Sequence, residues 1–186
     1  MSRSFHRFRS RAVVVIIFVL ISCSCHLRYD SDELDLSFYQ WNKWSDTASV
    51  SGAAEGHPVP SCGWERFNRG MGELVRIPST VDETEGIIWF HCRFTLPEEW
   101  EERPAELKLE GIQPGVVIYL NEEYVGSFQW QGEPIEIKIA DVVYYTLDNH
   151  LALGVFLPPG EPGPEETGIT GKVWITSTPI EEGEQE

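Results

Sequence analysis

The strongest constraint on the fold is an alternation of apolar and polar residues with a period of two. Such alternation places one apolar and one polar face on an extended segment, as in a half-buried β-strand. It is seen in four segments: Phe90-Cys92-Phe94, Ala105-Leu107-Leu109, Ile135-Ile137-Ile139 and Leu151-Leu153-Val155. Residues 116–120 are apolar throughout, which predicts a central strand covered on both faces. No long segment has the 3.6-residue period of an amphipathic helix, so the sequence predicts a mostly β domain.

Turn-forming residues separate these segments at the spacing typical of a β-sandwich. The turns are predicted at 97–99, 113–115, 121–123, 132–134 and 147–149. The longest break, 157–171, contains four prolines and four glycines and is interpreted as a surface loop. A last strand over 172–176 closes the domain.

The N-terminus predicts export. Four arginines and no acidic residue precede a ten-residue apolar run over 12–21. This run is about half of the roughly 20 residues that a membrane-spanning helix needs, so a signal peptide over 1–22 is favoured. Leu20-Ile21-Ser22-Cys23 resembles the lipobox of bacterial lipoproteins, which implies lipidation of Cys23, a tether over 23–31 and an exported protein anchored in a bacterial membrane. The expected location is the outer membrane, or the cell surface or periplasmic face. An ordinary secretory peptide with a chance cysteine is the alternative.

The remaining 164 of the 186 residues are enough for one domain, predicted over 32–178. They contain ten Lys and Arg against thirty Asp and Glu, a net charge of about −20. Nucleic acid is therefore excluded as a partner, because phosphate backbones need clustered basic residues. Residues 179–186 are predicted to form an acidic, disordered tail.

Cys62 and Cys92 could form a disulfide in an oxidising compartment, closing a loop of about 30 residues and contributing about 3 kcal/mol. Alternatively, Cys92 is a buried thiol in a strand and Cys62 a loop residue. No CxxC pair or His/Cys cluster indicates zinc, and no cofactor is expected. Asp141, Asp148 and Glu161 are candidates for a structural calcium, although no loop has the spacing of a known calcium site.

A family resemblance rests on motifs in a fixed order. Residues 86–97, Gly-Ile-Ile-Trp-Phe-His-Cys-Arg-Phe-Thr-Leu-Pro, resemble the strand G-x-x-W-Y-x-x-x-F-x-L-P of the N-terminal sugar-binding domain of glycoside hydrolase family 2. Segments similar to L-x-F-x-G-V, V-x-L-N-G-x-x-V-G, P-F-x-x-x, N-x-L-A-V and G-I-x-x-x-V follow at 107–112, 117–126, 134–137, 149–153 and 168–173. A V-x-V-P segment precedes them at 75–78. The resemblance covers about residues 34–178.

This resemblance implies an all-β fold, a galactose-binding-like jelly-roll β-sandwich in a single domain. Hydrolases of the family have their two catalytic carboxylates on a barrel domain that follows, and the sequence here nominates no such pair. It also has no nucleophile elbow, P-loop or zinc-protease signature, so no catalysis is expected. Two departures stand out. Glu122 replaces a hairpin glycine, which predicts a different turn geometry, and His91-Cys92 replaces basic residues, which predicts an altered polar network.

Trp130, between Gln129 and Gln131, is the first candidate for a sugar contact, because an indole stacks on apolar sugar faces and amides pair with hydroxyls. The alternative is a tryptophan that closes the end of the core. Trp64 is a weaker candidate, as are Trp41 and Trp44. The strand positions of Trp89 and Trp174 favour packing, His91 and His150 flank core positions, and Asn149 is expected to bind backbone groups.

The sequence thus predicts a membrane-anchored, non-catalytic carbohydrate-binding-like module whose partners are a carbohydrate or a glycan-degrading protein. Two alternatives remain. One is a structural or protein-interaction lipoprotein, and the other is an accessory subunit of a separately encoded glycoside hydrolase.

Overall fold

The computed structural model describes residues 32–48, 56–81, 86–157 and 167–179. The predicted signal peptide, the tether with Cys23, and all but the first residue of the acidic tail lie outside these ranges. Within them, no helix is both long and apolar enough to cross a membrane.

The described chain is built from short strands with very little helix. The strands are β1 Glu33–Asp35, β2 Trp41–Asp46, β3 Glu73–Val75, β4 Ser79–Thr80, β5 Gly86–Thr95, β6 Ala105–Leu109, β7 Ile112–Gln113, β8 Gly115–Leu120, β9 Glu123–Gln129, β10 Ile135–Lys138, β11 Asp148–Leu157, β12 Gly168–Ile169 and β13 Val173–Ser177. One α-helical turn, α1 Trp64–Phe67, and two 3-10 turns, Leu36–Phe38 and Glu98–Trp100, complete the list.

These strands form an all-β sandwich, which confirms the predicted jelly-roll fold class. One sheet has the strand order β1-β13-β6-β10, and the other has the order β3-β2-β5-β11-β8-β9. A small third sheet joins β4, β12 and β7. Every strand pair among the described residues is antiparallel. β12 lies inside the break predicted as a loop, because Gly168 and Ile169 pair with strands on both sides.

The main core lies between the four-stranded and six-stranded sheets. In β6, Ala105, Leu107 and Leu109 are buried there, while Glu106 and Lys108 alternate with them on the outside. β8 lies between β11 and β9, and each of its residues is buried. The prediction of a central strand covered on both faces is confirmed.

The outer face of the six-stranded sheet is also covered, which the alternation in β5 did not predict. Residues 56–70 are here called the cover segment. Its Val59, Trp64 and Phe67 pack against Trp89 and four other buried residues on the outer face of this sheet. As a result, β5 is buried on both faces over most of its length. Burial of this second apolar layer stabilises the fold by roughly 25 cal/mol for each Å² of apolar surface removed from water.

A two-residue hairpin joins β8 to β9. Its residues Asn121 and Glu122 have φ of 54° and 72°. Positive φ at both positions is the pattern of a type I′ turn, in which Asn-Gly is the favoured pair. The predicted change of turn geometry at Glu122 is therefore wrong, and Glu122 occupies a left-handed conformation that favours glycine.

Candidate functional site

Trp130 lies at the end of β9, where the chain leaves the six-stranded sheet. Gln129, the last residue of β9, pairs with Gly115, and the Trp130 N–H donates to the Pro114 carbonyl at 3.3 Å. The Trp130 side chain is half-buried, while Gln129 and Gln131 are exposed. All three predicted contacts therefore lie where β9 ends, and neighbouring side chains of an extended chain point to alternate sides.

Trp64 does not join this group. It lies in the cover segment, with its ring centroid 4.9 Å from that of Tyr119 and 6.4 Å from that of Trp89. Tyr119 is four residues from Gly115 along β8, which corresponds to about 13 Å of extended strand. Trp64 is half-buried and packs in the second apolar layer, so it does not share a site with Trp130, and its role as a separate sugar contact stays a prediction.

The other tryptophans separate into buried and half-exposed groups. Trp41 is fully buried, and its Nε1 donates to the Leu36 carbonyl at 2.9 Å, so it is not available to a ligand. Trp89 is fully buried in the second layer, as predicted for packing. Trp174 differs, because it alternates with the buried Val173 and Ile175 and lies half-buried on the outside of the four-stranded sheet.

The two cysteines lie on opposite faces of the six-stranded sheet. Cys92 is buried in the core between the sheets, whereas Cys62 packs with the second layer on the outer face. Both thiols are free, which agrees with the alternative of a buried strand thiol at Cys92 and a loop residue at Cys62. Burial raises the pKa of Cys92 to about 12.

A pair of histidines on the outer face was not predicted as a unit. His91 Nε2 is 3.0 Å from His150 Nδ1, and their rings are stacked with centroids 5.3 Å apart. His91 Nδ1 is buried and has no hydrogen-bond partner among the described residues. We assign the shared proton to His91 Nε2, because the other tautomer would leave a buried N–H without an acceptor.

The environment of this pair favours its neutral form. Burial, together with the nearby His150 and Arg93, lowers the pKa of His91 to about 4. Burial and Arg93 also lower the pKa of His150, while Asp148 and Glu122 oppose this shift. The ring of Phe67, from the cover segment, lies 5.2 Å from that of His91. The histidine pair is thus part of the packing beneath the cover segment.

Asn149 has the structural role predicted for it. Its Oδ1 accepts from the Tyr144 N–H at 2.7 Å, and its Nδ2 donates to the Tyr144 carbonyl at 2.7 Å. Asn121 Nδ2 also donates to Asn149 Oδ1, at 2.9 Å, which ties the β8–β9 hairpin to the start of β11.

The cover segment is attached by polar contacts at several points. The buried carboxylate of Asp46 accepts from the N–H of Ser61 at 2.8 Å and from its hydroxyl at 2.7 Å. The Tyr119 hydroxyl donates to the Pro58 carbonyl at 3.0 Å. The two hydrogen bonds from Ser61 give Asp46 a structural role.

Of the three calcium candidates, Asp141 and Asp148 lie among the described residues. Asp148 faces Arg93, with its Oδ2 3.7 Å from Arg93 Nη1. Asp141 is exposed, and Glu161 lies outside the described residues. In the described parts of the chain, no three His, Cys, Asp or Glu side chains are grouped as a metal site would require.

Solved structures share this arrangement of strands. A β-glucuronidase from an uncultured Clostridium species matches 79% of this chain and 28% of its own, with a TM-score of 0.58 and 18% identity. The Ruminococcus gnavus β-glucuronidase bound to an N1-substituted uronic isofagomine matches 79% of this chain and 30% of its own, with a TM-score of 0.61 and 18% identity. The Bacteroides uniformis β-glucuronidase matches 79% of this chain and 18% of its own, with a TM-score of 0.59 and 19% identity.

This chain has the fold of one part of these enzymes. It spans less than a third of the length of each. No protein-family model matches the sequence, and no curated protein sequence matches it. The likeness agrees with the sandwich that the sequence motifs implied.

Proposed function

We propose that this chain is a non-catalytic carbohydrate-binding module of the type that precedes the catalytic barrel in glycoside hydrolase family 2, held at a membrane by a lipid on Cys23. The main support is the share of each chain that the structural match covers. The β-glucuronidases align with 79% of this chain, yet the aligned part is only 18–30% of their own length. The matched region is therefore the sandwich itself.

The ligand contact in this proposal is the edge formed by Trp130, Gln129 and Gln131. The half-buried indole offers an apolar surface for a sugar ring, and the exposed amides can donate to and accept from hydroxyls. Single shallow sites of this kind bind weakly, and many tethered copies at one membrane surface would raise the avidity.

Isothermal titration calorimetry with soluble polysaccharides tests this proposal. Neutral β-1,4-glucan and β-1,4-xylan oligosaccharides are the first probes, because a chain with a net charge of −16 repels polyuronates. Trp130→Ala is expected to lower the affinity at least tenfold, while Trp130→Phe keeps most of it. Tyr144→Ala removes an exposed aromatic elsewhere and serves as the matched control. Absence of binding by the folded wild-type protein to every probe would refute the proposal.

A second candidate function is binding to a separately encoded glycoside hydrolase. It is favoured by exposed apolar residues near the β3 edge, where Phe38 is 81% and Leu74 is 63% exposed. These two side chains, with Tyr39 and Arg76, line a surface cavity of about 230 Å³. If this surface binds the hydrolase, Leu74→Glu should abolish co-purification with it and leave polysaccharide binding unchanged.

A further inference from the structure

The outer face of the four-stranded sheet carries two rows of polar side chains around one tryptophan. Strand register aligns the first row across all four strands as Asp35, Trp174, Lys108 and Glu136. The second row consists of Glu33, Thr176, Glu106 and Lys138. With strands about 4.8 Å apart, each row extends about 14 Å, which is the scale of a short oligosaccharide.

Trp174 is an unusual residue at such a position. The alternating Val173 and Ile175 fill the core on the other side of β13, so the indole is directed away from the core. Lys172 Nζ lies 5.1 Å from the centroid of its ring and forms ion pairs with Glu33 and Asp35. This cation–π contact favours one orientation of the indole, and a preferred orientation lowers the entropic cost of stacking a ligand on the ring.

The four carboxylates on this face form ion pairs with Lys108 and Lys172. Lys108 Nζ lies 3.0 Å from Glu136 Oε1 and 3.8 Å from Glu106 Oε2. With Lys138 added, four carboxylates face three lysines, and a net charge of −1 gives little field to attract a polyanion or a polycation. It has many hydrogen-bonding groups and one apolar surface, which are the groups that recognise a neutral sugar.

We propose that the outer face of the four-stranded sheet is a second carbohydrate-binding site that takes an extended neutral glycan chain. One pyranose ring stacks on Trp174, and its neighbours lie along the two rows, where carboxylates accept from hydroxyls and Lys108 donates to ring or hydroxyl oxygens. This inference adds a site to the proposed function and does not depend on Trp130.

Calorimetry with the same neutral oligosaccharides separates the two sites. Trp174→Ala is expected to reduce the association constant of this site at least tenfold and to leave binding at the Trp130 site unchanged. Trp174→Phe should reduce the constant of this site less than threefold, and longer oligosaccharides should bind more tightly than disaccharides. Binding at this site should change less than twofold between 50 and 500 mM NaCl. Polygalacturonate is the matched anionic probe, and it should not bind.

The outcomes are distinct. Binding that is lost in Trp130→Ala and unchanged in Trp174→Ala would overturn this inference and leave the proposed function standing. Loss of binding only in Trp174→Ala would support the inference and reject Trp130 as the contact. Absence of binding by the wild-type protein would refute both.

A measurement on the wild-type protein avoids dependence on a variant that folds poorly. The Trp174 indole N–H resonance, assigned by its loss in Trp174→Phe, should shift on titration with the neutral oligosaccharide. A spectrum in which other indole resonances shift and that of Trp174 does not would overturn the inference.

Discussion

Acidification should weaken this fold through His91, which is 3% exposed and packed between the sheet and the cover segment. The informative perturbation is His91→Gln, studied at several pH values. Glutamine keeps a donor for His150 Nδ1 and removes the titrating ring. The variant therefore isolates the pH dependence that arises from His91.

The sign and size of the effect follow from the two pKa values. The pKa of His91 is about 4 in the folded protein, and that of an unfolded histidine is about 6.5. Because the unfolded chain binds the proton more tightly, stability is full above about pH 7, falls as the pH drops through 6.5, and levels off below 4. At 1.36 kcal/mol per pKa unit, the loss approaches about 3 kcal/mol below pH 4 and is about 2 kcal/mol at pH 5.

The assay is urea unfolding of both proteins at pH 7.5, 6.0 and 5.0, followed by tryptophan fluorescence. Since the two proteins need not be equally stable at pH 7.5, the quantity to compare is the change in unfolding free energy with pH. Between pH 7.5 and 5.0 the wild-type protein should lose about 2 kcal/mol more than the variant. Equal losses within about 0.5 kcal/mol would refute the assignment of a buried, neutral His91.

Three further predictions concern backbone conformation, packing and thiol chemistry. Glu122→Gly should raise the unfolding free energy by up to about 1 kcal/mol, because φ is 72° there; a lower urea midpoint would contradict this. Gly154→Ala should lower the unfolding free energy by about 1–3 kcal/mol, since the added Cβ would lie 2.7 Å from Val117 Cγ1. An unchanged urea midpoint would show that this clash is absent. In the native protein Cys62 should react with a thiol reagent and Cys92 should not until unfolding, and dithiothreitol should leave the melting temperature unchanged; mass spectrometry that finds the two linked would contradict both expectations.

Much of the fold could be predicted from local pattern. The alternation in β6 and β10 showed which side chains face the core, and the uninterrupted apolar run of β8 showed a strand covered twice. Asn149, at the start of β11, was expected to bind backbone groups and does so. These features depend on residues close together in the chain, because the side-chain direction in a strand repeats every two residues.

Part of the candidate site depended on contacts that no local pattern encodes. His91 and His150 are 59 residues apart and meet because β5 pairs with β11. Trp64 and Trp130 were grouped by residue type, and only the packing of the cover segment separates them.

The sequence by itself therefore determined the strand class, the inward-facing residues and the acidic character of this protein, since each follows from composition or from a period of two. Only the tertiary structure decided that Cys62 and Cys92 lie on opposite faces of a sheet and that Trp174 lies in one row with Asp35, Lys108 and Glu136. The physical reason is that strand order and register bring distant residues together. Periodicity sets the face on which a side chain lies, but not its neighbours across the sheet.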